Sequence, residues 1–351
     1  MYSFFGEVIE ISTIKDVALL AGVSPATVSR VITQKGNIAS ETKARVLSAM
    51  EQIQYVPVHS QANDKSGTIG FSIARDPKDM LDNVFFSNVL CGISDAVKKF
   101  DYNVQFSLYY NIEELIEKSI DLFKKKQVNG FVFTSIFSSD KDLLLKSMQE
   151  SHVPFVMIGS SLNQNVFSVH NDNIRDSYMA TKYLLDKGYR KILFLTPDLK
   201  QDFTYDRIHG YQRAIEESEE TDFTNIIYCD NEELDITKAL DKAIEEEVSF
   251  DAIITMEPIA SLITLKYCQN KKMRVPEDVG ILTFNNVTYL DKVAPSITGL
   301  NLNPSALGTE AVQLLSELMD SKPPAWVHKS VTLPSEIIER QSTNRSTVSF
   351  I

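Results

Sequence analysis

The first 60 residues alternate apolar and polar positions with the period of short helices. Apolar residues of segment 14–21 recur at i, i+3, i+4 and i+7, which predicts one helix. Gly22 breaks that pattern, and Ser24 followed by Pro25 has the residue types of a second helix start. A third helix from Ser40 is predicted to turn these residues inward: Val46, Leu47, Met50 and Ile53. The pattern is typical of a helix-turn-helix unit and also of a helical cap on a larger domain.

From Thr68 onward the pattern changes to short apolar runs separated by amphipathic helical stretches. Strands are predicted at 69–73, 104–108, 130–134, 155–158, 191–196, 225–228, 252–255 and 279–284. Such alternation of strand and helix indicates parallel sheets covered by helices on both faces. The segment is too long for one open sheet. The predicted fold class is therefore a small all-α head, as a helix-turn-helix unit or a helical cap, followed by an α/β body of two lobes, each a doubly wound parallel sheet.

The net charge of the whole chain differs in sign from that of its N-terminal segment, and this difference bears on whether the protein binds nucleic acid. The 351 residues carry a formal net charge of -12, which alone argues against nucleic acid as the main partner. Residues 12–60, however, hold five basic and three acidic side chains, so this segment is weakly basic. The negative excess lies in the body. A basic reading head on an acidic body is compatible with DNA binding, with modest non-specific attraction.

Cysteine and histidine usage excludes several classes of protein. The three cysteines stand far apart and form no CxxC pair, which indicates a reducing, cytoplasmic compartment. The five histidines are scattered, so no metal site is expected. No apolar run reaches the length of a membrane span, and residues 1–12 lack the features of a signal peptide.

Catalytic and nucleotide-binding motifs are missing from the sequence. Neither GxGxxG nor GxxxxGK[ST] occurs, so no nucleotide cofactor is expected. GxSxG and HExxH are missing as well, and the acidic runs resemble solvated helix faces. We therefore expect a protein that is not an enzyme and needs no cofactor.

The head contains a run of motifs with fixed spacing. TIKDVA stands at 13–18, AGVS at 21–24 and ATVSRVI at 26–32, with RVL at 45–47 and YVP at 55–57. These strings closely resemble the DNA-binding head of the LacI/GalR family of bacterial repressors. The resemblance implies a sequence-specific transcriptional regulator that binds double-stranded DNA at a pseudo-palindromic operator, as a homodimer or tetramer.

Within the head, the second helix would present its outward residues to the major groove. Arg30 can make a bidentate contact to guanine, although a surface salt bridge is the alternative. Pro25 and Ala26 match positions that many family members use for base readout, and offer van der Waals contact here. Hydroxyl groups and helix N-termini would hold phosphates. The predicted DNA-binding residues are Thr13, Ser24, Pro25, Ala26, Thr27, Ser29 and Arg30.

The junction at 58–67 departs from the family pattern. The resemblance implies a hinge helix whose leucine wedges into the minor groove of the operator. This segment has neither Leu nor Arg and is shorter than usual. The alternatives are a weakened hinge, in which Val58 replaces the wedge, and a flexible linker.

The body also carries strings of this family: NVFF at 83–86, NDN at 171–173, GYRKI at 188–192, DRxxGY at 206–211, VPEDV at 275–279 and LP at 333–334. They resemble its effector domain, which is similar to periplasmic sugar-binding proteins. The implied domains are a leader 1–12, a head 13–57, a hinge 58–67, an effector and dimerisation domain 68–343 and a tail 344–351. Lobe one is predicted at 68–160 and 290–321, and lobe two at 161–288 and 326–343. Crossovers between the lobes are expected near 159–162, 287–289 and 321–326.

Ligands of parallel sheets bind outside the carboxyl ends of the strands, which selects the loops that follow the predicted strands. A sugar needs planar, bidentate polar side chains and an aromatic face. By resemblance, Arg207 and Asn285 match pocket positions of the family. The alternatives are a plain helix start for Arg207 and a core or dimer contact for Phe85 and Phe86. The predicted effector-binding residues are Phe85, Phe86, Phe203, Tyr205, Arg207, Glu257 and Asn285.

Three further strings narrow the expected effector. DLK at 198–200, DR at 206–207 and FNN at 284–286 resemble the maltose-operon regulators of this family. The expected function is a repressor of a carbohydrate-utilisation operon, controlled by a maltose-like sugar bound between the lobes. Two alternatives stay open: a cytosolic sugar-binding module with impaired operator binding, and a regulator that answers to a phosphorylated sugar or another small metabolite.

Overall fold

A computed structural model describes residues 13–32, 38–53, 55, 67–76, 83–134, 136–159, 166–197, 201–219, 221–320 and 328–345. The predicted leader 1–12, the hinge before residue 67 and the tail after residue 345 lie outside these ranges, as do residues 198–200 of the maltose-type resemblance. Internal contacts divide the chain into two units, Met1–Ser66 and Gly67–Ile351, which are described in turn.

The described part of the head contains three helices, α1 (Ile14–Ala21), α2 (Pro25–Ile32) and α3 (Ser40–Gln52). Gly22 ends α1 with a φ of 64°, a left-handed conformation that glycine adopts without strain. Ser24 begins α2, because its Oγ accepts a hydrogen bond from the backbone nitrogen of Thr27 at 3.1 Å. The predicted helix-turn-helix arrangement is confirmed.

The core of the head takes one fully buried valine from each helix, Val17, Val28 and Val46. The prediction that Leu47 points inward is wrong, since its side chain is 49% exposed. Ala49 is buried on α3 instead. A step of three residues from Val46 stays on one helix face, whereas a step of one residue turns about 100° away from it.

The first lobe of the body is built on a six-stranded sheet in the order β11-β5-β4-β3-β1-β2, with every neighbouring pair parallel. Its strands are β1 (Thr68–Ala74), β2 (Asn103–Tyr109), β3 (Gly130–Thr134), β4 (Phe155–Gly159), β5 (Ser168–Asn171) and β11 (Ser330–Leu333). The inner strands are apolar on both sides because helices cover both faces. Those helices are α4 (Val84–Lys99), α5 (Ile112–Lys124), α6 (Lys141–Glu150) and α11 (Pro304–Asp320).

The second lobe repeats this plan with the order β12-β10-β9-β8-β6-β7. Its strands are β6 (Ile192–Thr196), β7 (Asn225–Tyr228), β8 (Ala252–Thr255), β9 (Gly280–Phe284), β10 (Thr298–Asn301) and β12 (Glu336–Ile338), of which β12 alone in this sheet runs antiparallel. The covering helices are α7 (Asn173–Asp186), α8 (Asp202–Glu216), α9 (Glu233–Glu245) and α10 (Pro258–Asn270). The predicted fold class, two doubly wound α/β lobes behind an all-α head, is confirmed.

One helix pair in each lobe packs backbone against backbone through glycine. A Cβ added to Gly92 of α4 would lie 1.9 Å from the carbonyl oxygen of Ser305 in α11. In the second lobe, a Cβ on Gly210 of α8 would lie 2.1 Å from the carbonyl oxygen of Ile174 in α7. Both helix pairs border the region between the lobes. These close approaches therefore fix the position of the helices on either side of that region.

Among the described strands, the chain crosses between the lobes three times, after β5, after β10 and after β11. One side chain joins the three crossings: the amide of Asn171 donates to the carbonyl oxygens of Leu302 at 3.2 Å and Leu333 at 3.0 Å. Asn303 adds a bond from its side-chain nitrogen to the carbonyl oxygen of Pro334 at 3.0 Å. These bonds fix the crossing segments relative to one another.

Each crossing lies one strand later than predicted, which corrects the lobe bounds. Strands β5 and β11 belong to the first sheet, although segments 161–288 and 326–343 were predicted in lobe two. Strand β10 belongs to the second sheet, although 290–321 was predicted in lobe one. These strands are four residues long and carry few aliphatic side chains, so hydrophobic periodicity does not detect them.

Candidate DNA-binding helix and effector cavity

Helix α2 presents a mixed outer surface to solvent, with two small apolar and two polar residues. Pro25, Ala26, Ser29 and Arg30 are exposed, while Thr27 is partly buried. Arg30 lies in the last turn of the helix, and none of the described residues forms an ion pair with it. Its guanidinium donors therefore remain accessible for a bidentate contact of the kind that guanine accepts.

Thr13 and Ser24, two of the predicted phosphate contacts, lie at the starts of helices. Thr13 caps α1, where its backbone nitrogen and its Oγ donate to Asp16 Oδ2 at 2.7 and 2.6 Å. These two hydrogen bonds lower the pKa of Asp16, the side-chain bond first. Ser24 caps α2 and also hydrogen-bonds the Thr27 hydroxyl at 2.9 Å. Each of these N-termini carries the partial positive charge of the helix dipole, which suits a phosphate, and at α1 the carboxylate of Asp16 lies beside it.

In the body, a cavity of about 70 Å³ lies between the two lobes at the carboxyl ends of the strands. Six of the predicted effector residues line it: Phe85, Phe86, Phe203, Arg207, Glu257 and Asn285. Tyr205 is not among the lining residues, because it is 52% exposed on the outer side of α8. Phe203 and Arg207 are four residues apart and therefore lie on one face of the helix. Tyr205, midway between them, points to the opposite face and away from the cavity.

Arg207 is the buried cation of this cavity, with 4% of its surface exposed. Its Nε donates to Asn173 Oδ1 at 3.0 Å, and its Cζ lies 4.9 Å from the Phe203 ring centre and 4.1 Å from that of Phe284. Burial lowers the pKa of Arg207 to about 10, against the opposing effect of nearby carboxylates, so it is charged at neutral pH. Stacking and hydrogen bonding hold the guanidinium in one orientation.

Glu257 and Asn285 face Arg207 within the second lobe. Glu257 is the N-cap residue of α10, and Asn285 follows β9 with a φ of 63°. Asn285 Nδ2 donates to Glu257 Oε2 at 3.1 Å. Burial raises the pKa of Glu257, and the charge of Arg207 is the largest opposing influence. Asn285 Oδ1 is buried without a hydrogen-bond partner among the described residues, which makes it an acceptor ready for a ligand hydroxyl.

Five polar residues of the cavity were not predicted: Arg75, Asn83, Asn171, Asn173 and Gln201. Arg75 and Asn83 belong to the loop after β1, which the carboxyl-end rule had selected. The prediction took only the aromatic residues of that loop. Its polar side chains carried the missing signal, because a sugar needs amide and guanidinium donors as well as rings.

The described part of the chain shows no group of three or more potential metal ligands. Cys91, Cys229 and Cys268 are free thiols. No helix among the residues described has the length and apolarity needed to cross a membrane.

Fold and cavity together define a two-lobed ligand-binding protein with a helix-turn-helix head. Residues 13–58 match the lacI family of bacterial regulatory proteins, and residues 181–343 match the periplasmic binding protein-like domain. The HTH-type transcriptional regulator MalR of Streptococcus pneumoniae is 30% identical over 334 residues, which cover 93% of this chain and 99% of MalR. The chain belongs to the LacI family of transcriptional regulators, as its motifs predicted.

Solved structures agree on the fold. The lac repressor dimer bound to operator and the anti-inducer ONPF aligns with a TM-score of 0.77 at 18% identity, over 95% of this chain and 99% of the repressor chain. The complex of the transcriptional regulator CelR with cellobiose aligns with a TM-score of 0.71 at 23% identity, over 94% and 99% of the two chains.

Proposed function

We propose that this chain represses a carbohydrate-utilisation operon by binding its operator through α2, and that a maltose-like sugar in the cavity controls this binding. The convergence of three phenylalanines, two arginines, four asparagines and one glutamate on a single cavity carries the proposal. Rings provide a face for the sugar, and planar polar groups provide paired hydrogen bonds. The relatives MalR and CelR favour a glucoside among sugars.

The size of the cavity indicates how the sugar enters. At about 70 Å³ it is well below the ~300 Å³ of small-molecule sites. A disaccharide therefore requires the lobes to separate. Across the mouth, Ser138 Oγ of the first lobe donates to Asp202 Oδ1 of the second at 2.5 Å, and Lys141 forms an ion pair with the same carboxylate. Ligand binding thus changes the angle between the lobes.

A pseudo-palindromic operator requires two heads related by two-fold symmetry, so we infer that two chains act together as a homodimer. The sugar would alter the spacing at which the two heads reach their half-sites. A coupling of about 1–3 kcal/mol is typical of such linked sites and corresponds to roughly 5–150-fold in operator affinity. We propose that the coupling is negative, so that sugar binding releases the protein from DNA.

A gel-shift titration tests this proposal. The probe is a palindromic fragment from the promoter of the operon that contains this gene, and a scrambled fragment of equal composition is the control. The proposal expects selective retention of the palindrome and its release by maltose. Equal retention of both fragments would instead favour the alternative of a sugar-binding module with impaired operator binding, for which the leucine-free junction argues.

A second arm separates the effectors. Maltose, cellobiose and maltose 6′-phosphate are added to the same complex at equal concentrations. Release by the phosphorylated sugar alone would support the regulator of phosphorylated sugars in place of the maltose-type repressor.

A further inference from the structure

Two arginines, one from each lobe, enter the same cavity in matching environments. Arg75 follows β1 in the first lobe, and its Cζ lies 4.9 Å from the Phe137 ring centre and 5.9 Å from that of Phe86. Arg207 of the second lobe is likewise placed between two rings. Contact with two rings restricts the direction of each guanidinium, which favours bidentate recognition.

Both arginines act on one carboxylate. Glu257 receives the Asn285 bond from its own lobe, while Asn83 and the charge of Arg75 reach it from the first lobe. These groups and Arg207 all oppose the rise that burial imposes on the pKa of Glu257. Glu257 is thus the group on which the polar walls of the two lobes converge.

The cations of the cavity already face acidic groups. Glu257 acts on both Arg207 and Arg75, and the carboxyl groups of Asp176 and Asp206 act on Arg207 as well. A ligand that brought further negative charge would place it in a partly desolvated site beside these carboxylates. Such a placement is costly because buried like charges repel strongly.

Resting on the proposed function, we propose that Arg75 is a specificity-determining residue that, with Glu257 across the cleft, selects neutral sugars over phosphorylated ones. Two adjacent sugar hydroxyls match this pair, since one donates to the Glu257 carboxylate and the other accepts from the Arg75 guanidinium. A phosphate can accept from Arg75 but donates nothing to Glu257. The selectivity therefore needs both residues.

Isothermal titration calorimetry with maltose and maltose 6′-phosphate tests this pair on the full chain. Wild type is expected to bind maltose at least ten-fold more tightly than its phosphate. Arg75→Ala should weaken maltose binding at least ten-fold, and Arg75→Lys should restore part of the loss, because it returns the charge without the planar fork. Glu257→Gln should narrow the preference for maltose over its phosphate. Arg213→Ala is the matched control, an exposed arginine of α8 paired with Glu217.

The outcomes separate the two claims. Wild type that binds maltose while Arg75→Ala binds it equally well, or wild type that prefers the phosphate, overturns the role of Arg75 and leaves the sugar-responsive repressor in place. Wild type that binds neither probe overturns the proposed function, and this inference with it. Melting temperatures of all variants identify any loss of binding that arises from unfolding.

Discussion

The proposed DNA-reading helix and the proposed effector cavity are built on different principles. Helix α2 has eight consecutive residues, with the predicted DNA contacts on the outer face and its core valines on the inner one. The cavity takes its walls from segments that range from Arg75 to Leu307 and buries charged groups among them. In the head, recognition and stability therefore depend on different side chains. In the body, the same groups serve both, since an unpaired buried charge is costly.

The largest expected effect separates the two units. Val28→Asp places an unpaired charge in the fully buried core of the head and should cost at least about 3 kcal/mol there. We expect operator binding to be lost and maltose binding to stay within about two-fold of wild type, a difference below about 0.5 kcal/mol. Gel shift and calorimetry on the same preparation measure both. Loss of maltose binding as well would show that the units do not fold independently.

Arg207→Ala tests the claim that the body joins binding to stability. We expect maltose affinity to fall about 100-fold, or about 2.8 kcal/mol. The melting temperature of the body should change too, because Glu257 loses its largest favourable partner. Tyr205→Ala, on the exposed side of the same helix, is the matched control and should change neither quantity. An Arg207→Ala chain with normal sugar affinity would remove this residue from the site.

Arg30→Ala tests the opposite behaviour in the head. Removing this exposed side chain should cost roughly 1–3 kcal/mol of operator discrimination. Stability should change by no more than about 0.5 kcal/mol, as for most surface substitutions. Lys43→Ala removes the same charge from the exposed face of α3 and serves as the control. Unchanged operator preference in a competition gel shift would reject the base contact.

The smallest expected effect concerns pH. Burial raises the pKa of Asp176, which Ser335 and Arg207 only partly oppose. Folding therefore favours the protonated form, whose contribution to stability is complete below the ordinary value of 3.8 and is lost as the pH rises through the raised value. Asp176→Asn should melt above wild type at pH 7, and the two melting curves should converge near pH 4. A constant difference across this range would exclude titration of Asp176 as the cause.

The three helices of the head were predictable because their signals are local. Helix starts at Ser24 and Pro25, and a break at Gly22, depend only on residues a few positions apart. The same locality explains the errors in the body. Asn171 joins the three crossings between the lobes by donating to carbonyl oxygens 131 and 162 residues away in the chain, a separation that no local pattern covers.

The cavity was partly predictable for a chemical reason. The residue types that suit a sugar, placed after parallel strands, indicated Phe203, Arg207 and Asn285. The outward position of Tyr205 was also predictable. If Arg207 of α8 faces the cavity, helical periodicity places Tyr205, two residues earlier, on the other side of the helix. Arg75 is different, because its orientation depends on Phe137 and Phe86 from other segments.

Fluorescence anisotropy of a labelled operator fragment, held by wild-type protein and titrated with maltose, most directly tests whether the cavity controls the head. The account predicts a fall of operator affinity by roughly 5–150-fold on saturation, which Arg207→Ala abolishes without weakening the sugar-free complex. Maltose that binds the body by calorimetry and leaves operator affinity unchanged would contradict it.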